Sequence, residues 1–205
     1  MQFETFAPLA RLTFITHAFT LRGEQDTRAD DFESLVLKSL GFPPRHYASA
    51  EQTHGNAVAI VTKPVPRIPA VDALITSAAN LPLMIRCADC AGVFIVDCAT
   101  PAIALIHSGK RGTLANVTGN AVTTMREVFG TEPQQCIAAI SPSIGPCHYE
   151  MDIWSSIEAQ LRRAGVSEIY NSRVCTACHP DRYFSYRAEH GPTGRMFALL
   201  ALRAC

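Results

Sequence analysis

The sequence lacks any long hydrophobic run and any excess of one charge. No stretch approaches the roughly 18 consecutive apolar residues of a membrane-spanning helix, so no such helix is expected. The formal net charge is +0, from 18 Lys and Arg against 18 Asp and Glu. No block of like charge occurs either, so neither nucleic acid nor an anionic membrane is expected as a partner. Glu4 and Arg11 interrupt the apolar stretches of residues 1–23, which therefore do not resemble a signal peptide, and we expect a cytoplasmic location.

Cysteine, in contrast, is abundant, with eight residues in a chain of 205. In a cytoplasmic protein these are expected to be free thiols, metal ligands or catalytic groups rather than disulfides. The length and a hydrophobic content of 48% suit one globular domain that spans residues 1–205. Internal repeats, low-complexity tracts and long linkers are all missing.

Local patterns predict more strands than helices. Helices are expected over residues 32–40, with Asp30 or Asp31 as the cap, and over 113–129 and 153–164. Segment 195–202 suits either a strand or a helix. Strands are expected over residues 12–19, 57–61, 72–76, 83–86, 92–97, 102–107 and 136–140. Because the strands do not alternate regularly with helices, the predicted class is α+β, or mixed α/β, with helices covering a sheet core.

Three candidate metal ligands, His54, Cys90 and His107, each lie where a predicted strand meets a loop. One Cys and two His from separate strands form the ligand set of a catalytic zinc site, which keeps its fourth position for water or substrate. Taken singly, each has an ordinary alternative, because an isolated cysteine is most often an inert buried thiol and a histidine often sits at a turn. The shared position at strand ends favours a site, since loops on a rigid scaffold are where sites are built.

Two Cys-x-x-Cys pairs, at residues 87–90 and 175–178, have further interpretations. Together they could form a four-cysteine structural zinc site, although their separation argues against it. Each pair could be a redox dithiol, but neither has a thioredoxin-like context. The second pair, followed by His179, also matches the attachment pattern of c-type haem, which would require export from the cytoplasm.

Two segments carry positive charge beside glycine or aromatic residues. Lys110 and Arg111 lie in a glycine-flanked turn before a predicted helix, which is a natural cradle for an anion. The segments 181–187 and 191–195 combine aromatic and Arg side chains, which could stack on a planar ligand and bind anions. Solvated surface loops are the ordinary alternative for both.

Taken together, the motifs resemble those of the laccase-domain family, also called the multicopper polyphenol oxidase-like or YfiH-like family, which is associated with purine nucleoside phosphorylase and adenosine deaminase activity. The matching segments occur in the family's order and span most of the chain. They are Gln52-Thr-His-Gly55, Asp72-Ala-Leu-Ile-Thr76, Ala88-Asp-Cys90, His107-Ser-Gly-Lys-Arg-Gly112, Ser141-Pro-Ser-Ile-Gly145, Cys175-Thr176, Phe184-Ser-Tyr-Arg187 and Thr193-Gly-Arg195.

The resemblance implies a single-domain α/β/β/α layered sandwich, similar in core to the deamidase domain of cytotoxic necrotizing toxins. It also implies that His54, Cys90 and His107 bind zinc, with copper as the second choice. A purine nucleoside and phosphate would be the substrates, and the protein would be a monomer or homodimer. The chain departs from the family at Lys110, where Trp is usual, and at Cys87, where Thr is usual.

The same resemblance suggests roles for individual residues. For deamination, zinc would activate a water that attacks C6 of adenine, and Asp89 could carry the proton. For phosphorolysis, Arg111, and with it Arg22 and Arg187, would position the phosphate that attacks the ribose C1′. Gln52 would hydrogen-bond the base or the groups around the metal.

Three other functions stay open at this point. Cys90 could be the nucleophile and His107 the base of a metal-free cysteine hydrolase or amidase, for instance in editing cell-wall precursors. A zinc-stabilised protein that binds a nucleoside without turnover is also consistent with the motifs. Copper-dependent phenol oxidation is disfavoured, because the seven histidines form none of the His-x-His pairs that multicopper sites use.

Overall fold

Two six-stranded mixed sheets, packed face to face, form the centre of the computed structural model, which describes residues 1–23, 27 and 31–204. The strands are β1 (Phe3–Glu4), β2 (Ile15–Thr20), β3 (Ala48–Ala50), β4 (Val58–Ile60), β5 (Val65–Ile68), β6 (Ala73–Thr76), β7 (Leu83–Cys87), β8 (Ala91–Asp97), β9 (Ala102–Ser108), β10 (Cys136–Ile140), β11 (Glu168–Asn171) and β12 (Met196–Leu202). The first sheet has the order β1-β2-β12-β7-β3-β5, and the second has the order β11-β10-β8-β9-β6-β4.

Helices cover the outer face of each sheet, except for the first and shortest, which packs against the core between the sheets. They are α1 (Ala7–Ala10), α2 (Phe32–Ser39), α3 (Lys110–Leu114), α4 (Val117–Phe129) and α5 (Ile153–Arg163), with short 3-10 helices at Pro133–Gln135 and Thr176–Cys178. Helix α2 packs on the first sheet through Val36 and Leu37, and α4 and α5 pack on the second sheet. The layer order is therefore α/β/β/α, which confirms the predicted α+β sandwich.

The core lies in three layers: one between the sheets, one under α4 and α5, and a smaller one under α2. Side chains alternate along β8 and supply the first two layers: Phe94 and Val96 face the other sheet, and Val93 and Ile95 face the helices. Every residue of β8, β9 and β12 is buried. Strands covered on both faces lose the polar alternation of a half-exposed sheet, which explains their continuous apolar sequences.

Most of the predicted strands are confirmed within a few residues. Strand β10 has the predicted bounds, β8 and β9 pair antiparallel across the turn near Pro101, and segment 195–202 is a strand. Strands β1, β3, β5 and β11 were not predicted, because each is four residues or fewer and has no clear pattern.

The helix predicted over residues 113–129 is wrong in its start and its continuity. Helix α3 begins at Lys110, and the chain leaves helical geometry at Asn116, which has a left-handed φ of 60°. Side chains from elsewhere stabilise this break, because Asn56 donates to the Ala115 carbonyl at 3.0 Å and Gln160 donates to the Thr113 carbonyl. Freed carbonyls at a helix end need such partners.

The other two helices follow prediction more closely. Helix α2 begins directly after Asp31, although the Asp31 side chain makes no capping hydrogen bond, and Asp30 lies outside the described residues. Helix α5 begins at an Asp152 cap that accepts from Ser155 N, and Gly165 at φ +98° follows its end. In the described part of the chain, no helix has the length and apolar character that crossing a membrane requires.

Candidate metal centre

The predicted ligands come together where the chain passes from one sheet to the other. His54 lies between β3 of the first sheet and β4 of the second, and Cys90 lies between β7 of the first and β8 of the second. His107 belongs to β9 and pairs with Gly92 at the start of β8. Two crossovers and one strand end therefore place three ligands from distant parts of the sequence at one edge of the sandwich.

The three side chains have the spacing of a metal site. One ligand atom from each of His54, Cys90 and His107 lies within 4.8 Å of the others. The two imidazole rings are 4.9 Å apart between centroids and nearly perpendicular, at 80°. His107 is buried, Cys90 is half-buried and His54 is exposed, so the group opens towards solvent on one side.

The carboxylate of Asp72 fixes the orientation of His107. It is fully buried and its Oδ1 lies 2.8 Å from His107 Nδ1. A metal-binding histidine usually donates its other ring N–H to such a carboxylate, which leaves Nε2 for the metal. The donor set and this anchoring fit a zinc ion held by His54, Cys90 and His107.

Asp72 also shapes the turn that carries His54. Its carboxylate accepts hydrogen bonds from His54 N at 2.9 Å and from Gly55 N at 2.8 Å, and Thr53 Oγ1 lies at 3.2 Å. His54 has a φ of 62°, in the left-handed region that non-glycine residues seldom occupy. Strained backbone of this kind persists where surrounding contacts enforce it, as these do, and it is common at functional sites.

Gly109 is required for the approach of the third segment. A Cβ at this position would lie 2.5 Å from Cys90 Sγ and 3.4 Å from the His54 ring. Any side chain here would push into the ligand group, so the glycine two positions after His107 is explained by close packing rather than by backbone conformation.

The thiol and the imidazole perturb each other's ionisation. Burial alone would raise the pKa of Cys90, but His107 and His54 beside it lower the pKa to about 6. Burial alone would lower the pKa of His107, but the Cys90 thiolate and Asp72 raise the pKa to about 9. The pair therefore favours thiolate and imidazolium in the absence of a metal, and the thiolate is the form of cysteine that binds metals.

A cavity of about 870 Å³ opens over these ligands. This size lies within the usual range for small-molecule sites. Its lining is rich in cations and also contains two tyrosines. The lining residues besides the ligands include Glu51, Gln52, Arg86, Asp89, Lys110, Arg111, Tyr149, Tyr186, Arg187 and Arg195.

The cations of the lining differ in their partners. Glu150 pairs with both Lys110, at 2.8 Å, and Arg187, at 3.1 Å. Arg111 donates to the Thr53 carbonyl at 3.0 Å, and within the described chain no carboxylate lies within ion-pair distance of it. Arg111 is thus a cation beside the ligand group that is available to an anion.

The predicted substrate-binding residues are not all at the cavity. Arg111, Arg187 and Gln52 line it, whereas Arg22 lies outside its lining, paired with Glu189 at 2.9 Å. The Gln52 amide donates to and accepts from the backbone of Arg86, so its hydrogen-bonding groups face the protein. The substrate role of each of these residues stays a prediction.

Asp89, predicted as a proton carrier, has both oxygens engaged. Oδ1 accepts from Thr176 Oγ1 at 2.7 Å, and Oδ2 accepts from Arg187 N at 2.8 Å. Its own carbonyl accepts from Ile144 N. These contacts tie three loops together beneath the cavity, which favours a positioning role, while proton transfer by Asp89 stays a prediction.

Some residues at the site were missed from the sequence. No role was predicted for Asp72, although a carboxylate at the start of a fully buried strand indicates a group with a specific partner. Tyr149, which lines the cavity, and Glu150, which pairs with two cations of the lining, carried no local signal, because the fold alone brings them there. Cys87 is fully buried in the core between the sheets, so the 87–90 pair does not act as a chelating pair.

The chain is similar in sequence to proteins of a known family. The family model described as multi-copper polyphenol oxidoreductase laccase matches residues 20–152 and 148–203. The chain belongs to this family. Among curated relatives of the laccase-like chain, purine nucleoside phosphorylase YlmD of Geobacillus stearothermophilus is 28% identical over 98% of this chain and 86% of its own. Purine nucleoside phosphorylase SCO2081 of Streptomyces coelicolor is 33% identical over 79% of this chain and 77% of its own.

Solved structures of similar proteins share the fold. The crystal structure of YlmD from Geobacillus stearothermophilus has a TM-score of 0.88 at 24% identity and covers 94% of this chain and 93% of its own. The Bacillus licheniformis hypothetical protein YfiH has a TM-score of 0.85 at 24% identity and covers 92% and 93%. The family and the fold expected from the motifs are thereby confirmed.

Proposed function

We propose that the protein is a zinc-dependent purine nucleoside enzyme that cleaves a purine nucleoside with phosphate. The observation that carries the proposal is the soft ligand group of His54, Cys90 and His107 at the base of a cavity whose wall is rich in cations. The curated relatives, which are named purine nucleoside phosphorylases, support the same activity.

Each half of the substrate has matching groups in the cavity. A phosphate would bind at Arg111, whose guanidinium can donate two parallel hydrogen bonds to its oxygens. Tyr149 and Tyr186 line the same cavity and each offers a planar face for a purine base, while the Arg187 guanidinium covers the other face of Tyr149. In the reaction a phosphate oxygen bonds to C1′, the C1′–N9 bond breaks, and the departing base takes up a proton.

The ligand residues fit zinc, and a Zn²⁺ bound by them would supply Lewis acidity or a water of lowered pKa, the chemistry that adenosine deamination also needs. Asp72 keeps His107 in one orientation for that purpose. Asp89 and Thr176 hold the loops that form the cavity floor. Deamination of adenosine at C6 is therefore proposed as a second reaction of the same site.

A metal-free cysteine amidase is the other candidate, and one observation favours it. The pKa of Cys90 lowered to about 6 and that of His107 raised to about 9 describe a thiolate–imidazolium pair, which is how cysteine nucleophiles are activated. Copper-dependent phenol oxidation, after which the family is named, is not proposed. The described metal-competent groups contain only three of the seven histidines.

Product analysis of the purified protein with adenosine, with and without phosphate, tests the proposal. Adenine and ribose 1-phosphate that form only with phosphate would establish the phosphorylase, and inosine in both samples would establish the deaminase. If the metal-stripped protein hydrolyses an amide substrate, and iodoacetamide abolishes that hydrolysis, the assignment would move to the amidase. Tight zinc and nucleoside binding without any product would leave a binding protein.

Two variants locate the phosphate site. Arg111→Met should raise KM for phosphate about 10-fold or more, because it removes a cation from the cavity. Arg126→Met, on the exposed side of α4, is the matched control and should leave KM unchanged. Equal KM values for the two variants would show that Arg111 does not bind phosphate.

A further inference from the structure

A second group of soft ligands lies outside the site described above. Cys147, His148, Cys175 and Cys178 each bring one sulfur or nitrogen atom within 4.8 Å of the others. Three of the four are exposed, and Cys175 is buried. The segment 175–178 was noticed in the sequence, but its partners were not, because Cys147 and His148 are nearly thirty positions earlier.

The measured spacings are close to those that one tetrahedral ion imposes. Zn–S bonds of about 2.3 Å and Zn–N bonds of about 2.0 Å at tetrahedral angles place two sulfurs about 3.8 Å apart, and a sulfur and a nitrogen about 3.5 Å apart. Here Cys147 Sγ and Cys178 Sγ are 3.6 Å apart. His148 Nδ1 lies 3.3 Å from Cys147 Sγ, 3.7 Å from Cys175 Sγ and 3.5 Å from Cys178 Sγ.

Backbone contacts hold the two segments together independently of these side chains. Ser143 N donates to the Val174 carbonyl, and Thr176 N donates back to the Ser143 carbonyl, both at 3.1 Å. The Thr176–Cys178 3-10 helix then turns both thiols of the Cys-x-x-Cys pair to the same side. The ligand group is therefore built on a fixed frame rather than on chance proximity of long side chains.

One sulfur already receives a hydrogen bond of the kind that stabilises a thiolate. Gly145 N donates to Cys175 Sγ at 3.2 Å. Backbone N–H donors to sulfur favour the charged form, which is the form that binds metal. A disulfide would join only two of the three sulfurs. It would not explain why Cys175 and the His148 ring lie at the same point.

We propose that Cys147, His148, Cys175 and Cys178 form a second, four-coordinate zinc site with a structural role. Three cysteines and one histidine are a known structural zinc set, and four protein ligands leave no open position for substrate. Borderline-soft Zn²⁺ suits tetrahedral sulfur and nitrogen donors, whereas harder cations prefer oxygen.

The proposed ion would also steady one wall of the cavity. Tyr149 directly follows His148 and lines the cavity. Thr176 directly follows Cys175 and donates to Asp89, which lies next to Cys90. The second site thus joins the two segments that carry these contacts, and its loss should loosen the wall without removing any ligand of the first site.

Metal content of the purified, reduced protein tests the proposal. The wild type should contain about one zinc more per chain than Cys178→Ser, since one missing thiolate opens the four-coordinate site. Cys98→Ser, which removes an exposed thiol elsewhere, is the matched control and should keep the wild-type content. His148→Asn, which removes the nitrogen donor, is the second variant and should lose the same zinc. Circular dichroism would check that each variant is folded.

Cobalt substitution separates this site from the first. In the Cys90→Ser background, added Co²⁺ should give the intense visible bands of a tetrahedral complex and sulfur-to-cobalt charge-transfer absorption, both abolished by Cys178→Ser. The absence of these bands, or equal zinc content in wild type and Cys178→Ser, would overturn the proposal. A Cys147–Cys178 disulfide that forms in the native protein, with no metal bound after its reduction, would overturn it as well.

Discussion

The carboxylate of Asp72 is the point at which a small change should have the largest effect on the metal centre. In Asp72→Asn the side chain keeps its shape but loses its charge and one of its two acceptor oxygens. If the remaining oxygen serves His54 N and His107 Nδ1, the new amide N–H₂ group faces Gly55 N, which is itself a donor. One partly buried N–H is then left without an acceptor.

Two magnitudes follow from this arrangement. A buried donor without an acceptor costs about 1–3 kcal/mol, so the free energy of unfolding should fall by about that amount. Loss of the carboxylate behind a ligating histidine typically weakens metal binding by about 10–100-fold. Asp72→Ala would leave all of these donors without their acceptor at once, and the conservative variant is therefore the more informative one.

Zinc affinity by competition with a chelator, together with urea denaturation, measures both effects. Asp97→Asn is the matched control, because Asp97 is also buried but accepts from Ala99 N and Thr100 N through one oxygen, at a turn on β8. It should change stability little and zinc affinity not at all. A folded Asp72→Asn protein that binds zinc within about twofold of the wild type would refute the reasoning.

Three other predictions concern packing, pH and substrate binding. Gly109→Ala should weaken zinc binding, because its Cβ would meet Cys90 Sγ, and wild-type affinity in a chelator competition would contradict this. Burial lowers the pKa of His17 to about 4, and the ring accepts from Phe6 N. The unfolded chain therefore binds this proton more tightly, so the free energy of unfolding should fall by up to about 3 kcal/mol as pH drops from about 6.5 to about 4. His17→Gln, which can still accept from Phe6 N, should reduce this slope in pH-dependent urea denaturation, and an unchanged slope would count against the assignment. Tyr149→Ala should raise KM for a nucleoside, while Tyr149→Phe, which keeps the ring, should not. A Tyr149→Ala protein with the wild-type KM would contradict a stacking role for Tyr149.

Local pattern was enough to predict much of the fold. Apolar runs such as residues 92–97 and 136–140 are strands because β-branched residues fit a buried sheet, and this preference is visible in any short window. The α+β class followed from the irregular order of strands and helices. The break at Asn116 could not be predicted, since Asn56 and Gln160, which donate to carbonyls at the break, are about forty or more positions away.

The candidate ligand residues were visible in the sequence, because their chemical type and their place where a predicted strand meets a loop are local properties. His54, Cys90 and His107 could be named on that basis, and a metal could be expected. What only the tertiary structure decided is which groups meet. The two crossovers between the sheets bring His54 and Cys90 to His107, and Asp72, directly before β6, bonds the His107 ring and the backbone N–H of His54.

The same distinction explains the second ligand group. The Cys-x-x-Cys pair at 175–178 was evident, but a pair alone is consistent with zinc, redox or haem chemistry. Pairing of Ser143 with Cys175 across the fold adds Cys147 and His148 and turns an ambiguous motif into four donors around one point. Residue type is a local property that the sequence determines by itself, whereas the distance between residues far apart in the chain depends on how the two sheets pack.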